Sequence, residues 1–251
     1  MPVYNPFSLE EKTVLITGAS SGIGAETAVE CSRLGATVII TGRNESRLQE
    51  TFSRLDISFS QGHEMVLADL TEETDIARLV ERINCIDGLV CNAGVNRIKP
   101  VAFVQGDDFD FVFRNNVYAG MSLIRLLLRK KRFNKNSSIV FTSSVSAYHN
   151  APGRVLYAGS KAAQTSLMRS IAVELAGKGF RANAVHPGLV ETKLMCESLS
   201  DAERNNALAD YPLKRFGKPK EIAWAIIYLL SDAASWVTGS SMIIDGGFML
   251  K

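Results

Sequence analysis

Short runs of apolar residues recur along the chain and are separated by segments of helical periodicity. The runs are rich in β-branched residues and predict seven strands, at 12–17, 36–41, 64–69, 88–92, 138–143, 181–187 and 241–245. Helical patterns cover 22–34, 44–55, 72–84, 107–134, 155–178, 201–209 and 219–231. Because the predicted strands are apolar throughout and do not alternate with polar residues, they are typical of a parallel sheet covered by helices on both faces. The pattern therefore predicts a doubly wound α/β fold with a seven-stranded parallel sheet.

Two of the predicted helices carry start signals. Ser200 and Glu203 match a capping box, and Pro219 suits the first turn of a helix that ends near Ser231. No internal repeat, low-complexity tract or Gly/Ser/Pro-rich linker divides the 251 residues. Since single α/β domains often reach about 250 residues, we expect residues 1–251 to form one domain.

Composition and charge exclude several classes of protein. With 46% hydrophobic residues and a net charge of +2, the chain fits neither a disordered segment nor a nucleic-acid-binding protein with a clustered basic face. The N-terminus shows no signal-peptide pattern, and no apolar stretch approaches the ~20 residues of a membrane helix. The 4 cysteines form no CxxC pair and have no histidine cluster near them. We therefore expect a cytoplasmic protein with free thiols.

The first predicted strand runs directly into a glycine-rich segment, TGASSGIG at 17–24, where a helical pattern starts. Glycine lets the backbone approach a ligand closely, and the N–H groups and positive end of a helix attract a pyrophosphate. An ordinary tight turn would also explain three glycines. Their place after the first strand of a βαβ unit favours a dinucleotide site formed by Gly18, Gly22 and Gly24.

The end of the second predicted strand bears on which dinucleotide is bound. NAD-preferring sites place an acidic residue about 20 residues beyond the glycines to accept from the ribose 2′-OH, whereas an arginine accommodates the 2′-phosphate of NADP. Here the strand ends in Thr41, Gly42, Arg43 and Asn44, with Glu45 close by. We predict that NADP(H) is preferred and that NAD(H) is possible; a solvated Arg43 at a helix start is the alternative.

Tyr157 and Lys161 lie four residues apart in a helical pattern, so their side chains share one face. A nearby ammonium favours the phenolate and would bring the pKa of a tyrosine, ordinarily ~10, towards a range useful for proton transfer. Ser144 ends the fifth predicted strand, 13 residues before Tyr157. Its hydroxyl can face the phenol across one substrate carbonyl, which is the arrangement that carbonyl reduction needs.

These motifs together resemble the short-chain dehydrogenase/reductase family over essentially the whole chain. Beside TGASSGIG and YAGSK (157–161), the sequence contains CNAG at 91–94, Asn116 in NNVYAG, HPGLVET at 186–192, PLKRFGKPKEIA at 212–223 and VTGSSMIIDGG at 237–247. The resemblance implies a single-domain Rossmann fold and an NAD(P)-dependent oxidoreductase. It implies that Tyr157 is the general acid/base, that Lys161 lowers its pKa and binds the nicotinamide ribose, that Ser144 polarises the carbonyl, and that Asn116 supports a water relay to Lys161.

The resemblance also assigns the contacts along the cofactor. These residues are Gly18, Ser20, Ser21, Gly22, Ile23, Gly24, Arg43, Asp69, Leu70, Asn92, Ala93, Gly94, Tyr157, Lys161, Pro187, Gly188, Val190 and Thr192. Cys91 stands where the family usually has asparagine, which affects local hydrogen bonding more than catalysis. His149 and His186 are expected to be structural. Because no His/Asp/Glu ligand cluster is seen, we predict no catalytic metal.

Within the family, the C-terminal part resembles 3-oxoacyl-acyl carrier protein reductases, through GLVETKLM, LSDAERNNALADYPLKRFG and the closing DGG. Basic residues fall where those enzymes meet their acidic carrier: Arg125, Arg129, Lys130, Lys131, Arg132, Lys135 and Lys178. Carrier binding is one explanation of this cluster. A solvated helix C-terminus, where the helix dipole favours cations, is the other.

The substrate itself stays open at this point. Residues 190–216 are expected to cover it but show no selective polar group, so sugar, polyol and other alcohol dehydrogenases of the family are alternatives. A non-catalytic NADP-binding module would typically lack the Tyr/Lys pair, and a nucleotide-sugar epimerase would need a longer C-terminal region. The resemblance further implies a homotetramer built on 107–134, 155–178 and the C-terminal segment.

Overall fold

The computed structural model describes residues 4–193, 195 and 201–250. Within these residues seven parallel strands form one sheet, as the sequence predicts. They are β1 (Thr13–Thr17), β2 (Thr37–Gly42), β3 (Glu64–Leu67), β4 (Ile86–Cys91), β5 (Phe133–Thr142), β6 (Arg181–Pro187) and β7 (Ser241–Ile244). Their order across the sheet is β3-β2-β1-β4-β5-β6-β7. The chain thus adds β2 and β3 on one side of β1 and β4 to β7 on the other, and this switch in strand order opens a crevice at the carboxyl ends of the strands.

Helices cover both faces of this sheet. They are α1 (Gly22–Arg33), α2 (Glu45–Phe52), α3 (Glu73–Arg82), α4 (Gly106–Phe113), α5 (Ala119–Arg129), α6 (Val155–Leu175), α7 (Asp201–Leu208) and α8 (Pro219–Leu230). Pro219 lies in the first turn of α8, as predicted. Ser200 and the side chain of Glu203, which were expected to cap α7, lie outside the described residues. In the part of the chain described, no helix is long and apolar enough to cross a bilayer.

The core explains why the strands read as continuous apolar runs. Leu15 of β1 packs into one cluster with residues of α3, α5 and α6, whereas its neighbours Val14 and Ile16 pack into a second cluster with α1, α2 and α8. The register pairs Val14 with Val38 and Ile16 with Ile40, so each face stays apolar across the sheet. Burial of one such side chain contributes about 1.5–3 kcal/mol.

The prediction of a single helix over 107–134 is wrong. The segment consists of α4, a π-helical turn at Arg114–Tyr118 and α5. Lys131 has a φ of 54°, in the left-handed region, and the helix ends just before it. β5 then begins at Phe133 and not at 138, because Phe133 pairs with Ile86 and packs edge-on against Phe180.

Candidate active site

The glycine-rich turn between β1 and α1 has room for nothing larger than glycine at its key positions. Gly18 and Gly22 have φ values of 63° and 59°, which side chains rarely adopt. A Cβ on Gly18 would lie 2.8 Å from Ala93 Cα, and one on Gly24 would lie 2.4 Å from the Gly18 carbonyl oxygen. Gly24 is therefore required for packing within the turn.

Asn92 braces this turn from the end of β4. Its Nδ2 donates to the carbonyl oxygens of Thr17 and Gly18 at 3.2 and 3.3 Å. The backbone N–H groups of Asn92 and Ala93 both donate to Thr17 Oγ1, at 3.0 and 3.1 Å. The resemblance places Asn92 by the ribose, but its side-chain amide donates to the backbone of the glycine turn and stabilises the shape of that turn.

Arg43 and Asp69 lie at the far end of the crevice, after β2 and β3. Arg43 Nη1 is 3.6 Å from Asp69 Oδ2, and the arginine side chain is half exposed. Burial alone would raise the pKa of Asp69, but hydrogen bonds from Thr71 and the charge of Arg43 hold it below its ordinary value. Asp69 is therefore an anion at neutral pH, and Arg43 is held close to the end of the crevice by an ion pair that water can reach.

Ser144 and Tyr157 meet at the carboxyl end of β5. Ser144 begins a short 3₁₀ turn, its Oγ accepts from Ser146 N at 3.1 Å, and Tyr157 stands in the first turns of α6. Burial raises the pKa of the Tyr157 phenol, although a hydrogen bond with Ser144 and the charge of Arg154 act in the opposite direction. The phenol is therefore protonated at neutral pH.

Lys161 lies one helical turn beyond Tyr157 and is buried. Its Nζ donates to the Thr142 carbonyl oxygen at 2.8 Å and to Gln164 Oε1 at 3.0 Å. Burial lowers the pKa of Lys161 to about 8. Nζ lies 5.6 Å from the centre of the Tyr157 ring, and the lowering of the tyrosine pKa that we expected from Lys161 is not seen in this structure.

Asn116 lies in the π-helical turn, behind Lys161. Its Oδ1 accepts from Val95 N at 2.7 Å, and its Nδ2 donates to Val95 O and to Ser160 Oγ at 3.0 and 2.9 Å. These bonds tie the chain after β4 to α6. Asn116 thus lies in a helix distortion of a kind that is frequent at functional sites.

The opposite wall of the crevice follows β6. Gly188 N donates to the Ile244 carbonyl oxygen at 3.0 Å, Leu189 N donates to the Tyr211 hydroxyl at 2.7 Å, and Val190 pairs with Gly217 in an isolated parallel bridge. The γ-methyl group of Thr192 faces Gly22, where a Cβ would lie 3.1 Å from Thr192 Cγ2. The two sides of the crevice therefore approach each other at the glycine turn.

A cavity of about 800 Å³ joins these groups. All of the predicted site residues line it except Gly24 and Asn116, which pack directly behind its wall. The described members of the 190–216 segment that border it are Val190, Thr192, Lys193, Met195, Ala207, Asp210 and Tyr211. That this segment covers the substrate stays a prediction.

Several residues of the site are missing from the prediction. They are Thr142, His149, Arg154, Gln164, Tyr211 and Phe248. Gln164 follows Tyr157 and Lys161 at helical spacing, so a test of that helix face for further polar residues would have found it. Thr142 and Arg154 lie within three residues of Ser144 and Tyr157, whereas His149, Tyr211 and Phe248 reach the site through tertiary packing.

Of the cysteine and histidine residues noted in the sequence analysis, Cys91 and His186 are buried, whereas His149 lines the cavity. Cys91 is buried, and burial raises the pKa of its thiol to about 12. His186 is buried, and its Nδ1 lies 3.1 Å from the Ser144 carbonyl oxygen, a partner that the sequence did not reveal. His149 packs edge-on against Phe248. Among the described residues no three or more His, Cys, Asp or Glu side chains are grouped as metal ligands would be.

Comparison with known proteins places this geometry in a family. A family model described as enoyl-(acyl carrier protein) reductase matches residues 18–249. The 3-oxoacyl-[acyl-carrier-protein] reductase FabG of Thermotoga maritima is 37% identical over 246 residues, which cover 96% of this chain and 99% of that protein. Glucose 1-dehydrogenase of Gluconobacter oxydans is 35% identical over 245 residues, 95% and 92% of the two chains.

The fold comparison agrees with the sequence comparison. A crystal structure of a short-chain type dehydrogenase/reductase from Mycobacterium marinum matches with a TM-score of 0.89 and 28% identity, over 98% of each chain.

Proposed function

Since the chain belongs to the short-chain dehydrogenase/reductase family, whose members are NAD(P)-dependent oxidoreductases acting on CH–OH groups, we propose that it is an NADP(H)-dependent reductase of 3-oxoacyl thioesters. One observation carries the proposal: Ser144, Tyr157 and Lys161 lie in the wall of the same cavity as the glycine turn. A carbonyl held between Ser144 and Tyr157 is then next to the space for a nicotinamide.

The crevice fits a nicotinamide dinucleotide. Gly18 and Gly22 leave a wall without side chains where a pyrophosphate would lie, at the positive end of α1. Ser20, Ser21, Ile23, Arg43, Asp69, Leu70, Asn92, Ala93, Gly94, Pro187, Gly188, Val190 and Thr192 line the rest of its length. When bound, the cofactor supplies or accepts the hydride.

The chain's own residues supply the proton. Tyr157 is protonated at neutral pH, so its hydroxyl can donate to the carbonyl oxygen as negative charge develops there. The Ser144 hydroxyl donates a second hydrogen bond to the same oxygen. Lys161 provides positive charge beside the phenolate that forms, and Asn116 holds the backbone behind it. In the oxidation direction the same groups act in reverse.

The charge at the adenosine end of the crevice supports a preference for NADP(H). Arg43 and Arg47 both line that end of the cavity, and Asp69 is already paired with Arg43. Two guanidinium groups favour a 2′-phosphate, which accepts paired N–H donors. We expect kcat/KM for NADPH to exceed that for NADH at least tenfold; comparable values for the two cofactors would contradict the preference.

The 3-oxoacyl substrate is favoured by Arg154 as well as by the relatives. Arg154 lines the cavity three residues before Tyr157, and no ion pair engages it within the ranges described. An arginine donates N–H groups to carbonyl or carboxylate oxygens. A 3-oxoacyl thioester carries a second carbonyl near the reacting one, and the FabG relatives are named for that substrate class.

The position of the basic segment limits how a carrier protein could be used. Arg129, Lys130, Lys131 and Lys135 are exposed, but they lie at the amino end of β5, whereas Ser144 follows its carboxyl end. Ten residues of strand span roughly 30 Å. A carrier bound to this segment must therefore extend its acyl arm along the whole of β5 or enter the site of a neighbouring chain.

A second candidate is oxidation of a sugar or polyol, because the glucose 1-dehydrogenase relative is almost as similar as the FabG relative. We propose to separate the two with a panel of NADPH-consuming carbonyl substrates, acetoacetyl thioesters first, run beside sugar and polyol oxidations with NADP+ and NAD+. Turnover of sugars alone would overturn the 3-oxoacyl proposal. The carrier is tested by comparing acyl-carrier and small N-acyl thioester substrates, with charge reversal at Arg129 and Lys135.

Tyr157→Phe tests the catalytic assignment. Loss of the proton donor should lower kcat by about 10²–10⁴-fold, the usual contribution of general acid catalysis, with NADPH affinity almost unchanged. A binding module without catalysis would show no turnover in the wild-type protein on any member of the panel. A fully active Tyr157→Phe variant would contradict the role given to Tyr157.

A further inference from the structure

A buried glutamine joins two groups of the active site that the family resemblance links through water. Gln164 Nε2 donates to the main-chain carbonyl oxygen of Asn116 at 2.5 Å, and Gln164 Oε1 accepts from Lys161 Nζ at 3.0 Å. Asn116, Gln164 and Lys161 are 2%, 3% and 4% exposed. The amide therefore fills the space between carbonyl and ammonium and satisfies both.

The orientation of this amide is fixed by chemistry. The ammonium of Lys161 can only donate and the carbonyl of Asn116 can only accept. Reversing the amide would place an N–H group against the ammonium and an oxygen against the carbonyl. The arrangement with Oε1 towards Lys161 is therefore the one that both neighbours allow.

The two bonds determine where the third proton of Lys161 points. An ammonium has three N–H groups, and two of those of Lys161 donate to Thr142 O and Gln164 Oε1. Lys161 also lines the cavity, beside Gly94 and Tyr157, so its third N–H group is the one left for a ligand there. Without Gln164 the ammonium would keep Thr142 O as its single acceptor among the residues that the structure describes, and it could turn about the end of its flexible chain.

We propose that Gln164 is a positioning residue, whose amide holds the Lys161 ammonium towards the cavity and replaces a water between Lys161 and the Asn116 carbonyl. A water can take up one proton and release another, whereas the amide nitrogen keeps its protons. The route from Lys161 to solvent through Asn116 is therefore closed, and the phenolate of Tyr157 regains its proton through the cavity. This inference rests on the proposed oxidoreductase function.

Two substitutions separate positioning from packing. Gln164→Leu keeps the volume but leaves the Lys161 ammonium and the Asn116 carbonyl each short of a partner. Gln164→Ala opens room in which a water can bond to both groups. If Gln164 only fills space, Leu should be the milder change. If it holds Lys161, Ala should be the milder one, and Leu should lower kcat/KM by about 10- to 100-fold.

The pH dependence gives a readout that packing does not move. Loss of the acceptor disfavours the charged form of Lys161, so Gln164→Leu should move the alkaline limb of kcat/KM to lower pH by about one unit or more. Gln164→Glu places a carboxylate beside Lys161 and should move the limb to higher pH. Gln164→Ala should stay near the wild type in this limb while changing the solvent isotope effect, since a water then connects Lys161 to Asn116.

Asn183→Leu is the matched control. Asn183 is another fully buried amide with bonds to backbone groups, to Val237 O at 2.8 Å and from Ser240 N at 3.0 Å, and it does not line the cavity. It should lower stability without moving the alkaline limb. An alkaline limb that is unshifted in both Gln164→Leu and Gln164→Glu would overturn the inference. A smaller loss of kcat/KM in Gln164→Leu than in Gln164→Ala, measured in variants of equal melting temperature, would overturn it as well.

A second measurement keeps this test separate from the substrate proposal. The pH dependence of NADPH binding is followed by fluorescence without any substrate. The pH above which binding weakens should be lowest in Gln164→Leu, similar in Gln164→Ala and the wild type, and highest in Gln164→Glu. If 3-oxoacyl thioesters are not reduced but this order is found, the substrate is wrong and the role of Gln164 holds. If thioesters are reduced and the order is absent, the role of Gln164 is wrong.

Discussion

Lys161 carries an electrostatic cost that is specific to its surroundings. Its ammonium is buried, and burial lowers its pKa from 10.5 to about 8. Below pH 8 the group is charged in both the folded and the unfolded chain, and the full cost of burying the charge opposes folding. Between pH 8 and 10.5 the folded chain releases this proton first, so the unfolded chain binds more protons and the contribution of Lys161 to stability rises with pH.

We therefore expect the free energy of unfolding of the wild type to increase with pH relative to that of Lys161→Met. The difference in free energy of unfolding between the two proteins should change by about 3 kcal/mol from pH 7.5 to 10.5, at 1.36 kcal/mol per unit of pKa shift. Urea denaturation of both proteins at several pH values measures this difference. The other titrating groups are the same in both proteins, so their contributions cancel in the difference. A difference that stays constant over this range would show that Lys161 is not buried as a cation.

The residues that could be predicted are those whose relation is local in sequence. Tyr157 and Lys161 are one helical turn apart, and Ser144 ends a strand. Gln164 was within reach of the same reasoning. Its bond to Asn116 was not, because that contact joins residues 48 positions apart through a carbonyl in a π-helical turn. The pKa of Tyr157 also depends on burial, which residue spacing does not report.

The join between β1 and α1 shows how tightly one element constrains another. Gly24 lies in the first turn of α1, where alanine would by itself favour a helix by roughly 0.5–1 kcal/mol. A Cβ there would lie 2.4 Å from Gly18 O and 2.5 Å from Asn92 Nδ2, which also braces the turn. Overpacking of this kind costs about 1–3 kcal/mol, so packing outweighs helix propensity.

Gly24→Ala should therefore lower the free energy of unfolding by about 1–2 kcal/mol, and it should weaken NADPH binding because α1 has to move relative to β1. Gly62→Ala is the control, since a Cβ at Gly62 has no heavy atom within 4 Å, and we expect its effect to stay within about 0.5 kcal/mol. Chemical denaturation and cofactor titration measure the two effects. A Gly24→Ala variant as stable as Gly62→Ala would contradict this account of the turn.

Strands could be predicted from the sequence where both of their faces are buried, as in β1 and β2, because such strands are apolar throughout. It was not predictable between α5 and β5. Leu126 to Leu128 continue the helical pattern, and Phe133 is apolar in either kind of element. What decides is the left-handed φ of Lys131 and the pairing of Phe133 with Ile86, and both depend on the rest of the sheet.

A single copy of the whole molecule leaves large apolar side chains uncovered. Trp236 is 99% exposed and Val173 on α6 is 81% exposed. Leu250 near the C-terminus is 87% exposed, and Phe109 on α4 is 48% exposed. Apolar surface of this kind marks an interaction site, and soluble oligomers are usually built from copies of one chain. These residues lie on the helices and the C-terminal segment from which we predict a tetramer.

We expect sedimentation velocity at micromolar concentration to give a tetramer, and Val173→Glu to shift it to smaller species, because the variant would bury a charge without a partner. Ile57→Glu is the matched control: Ile57 is 73% exposed but lies between α2 and β3, away from α4, α6 and the C-terminal segment. It should leave the assembly unchanged. A wild type that sediments as a monomer would contradict the tetramer, whereas a tetrameric Val173→Glu variant would contradict only the part given to α6.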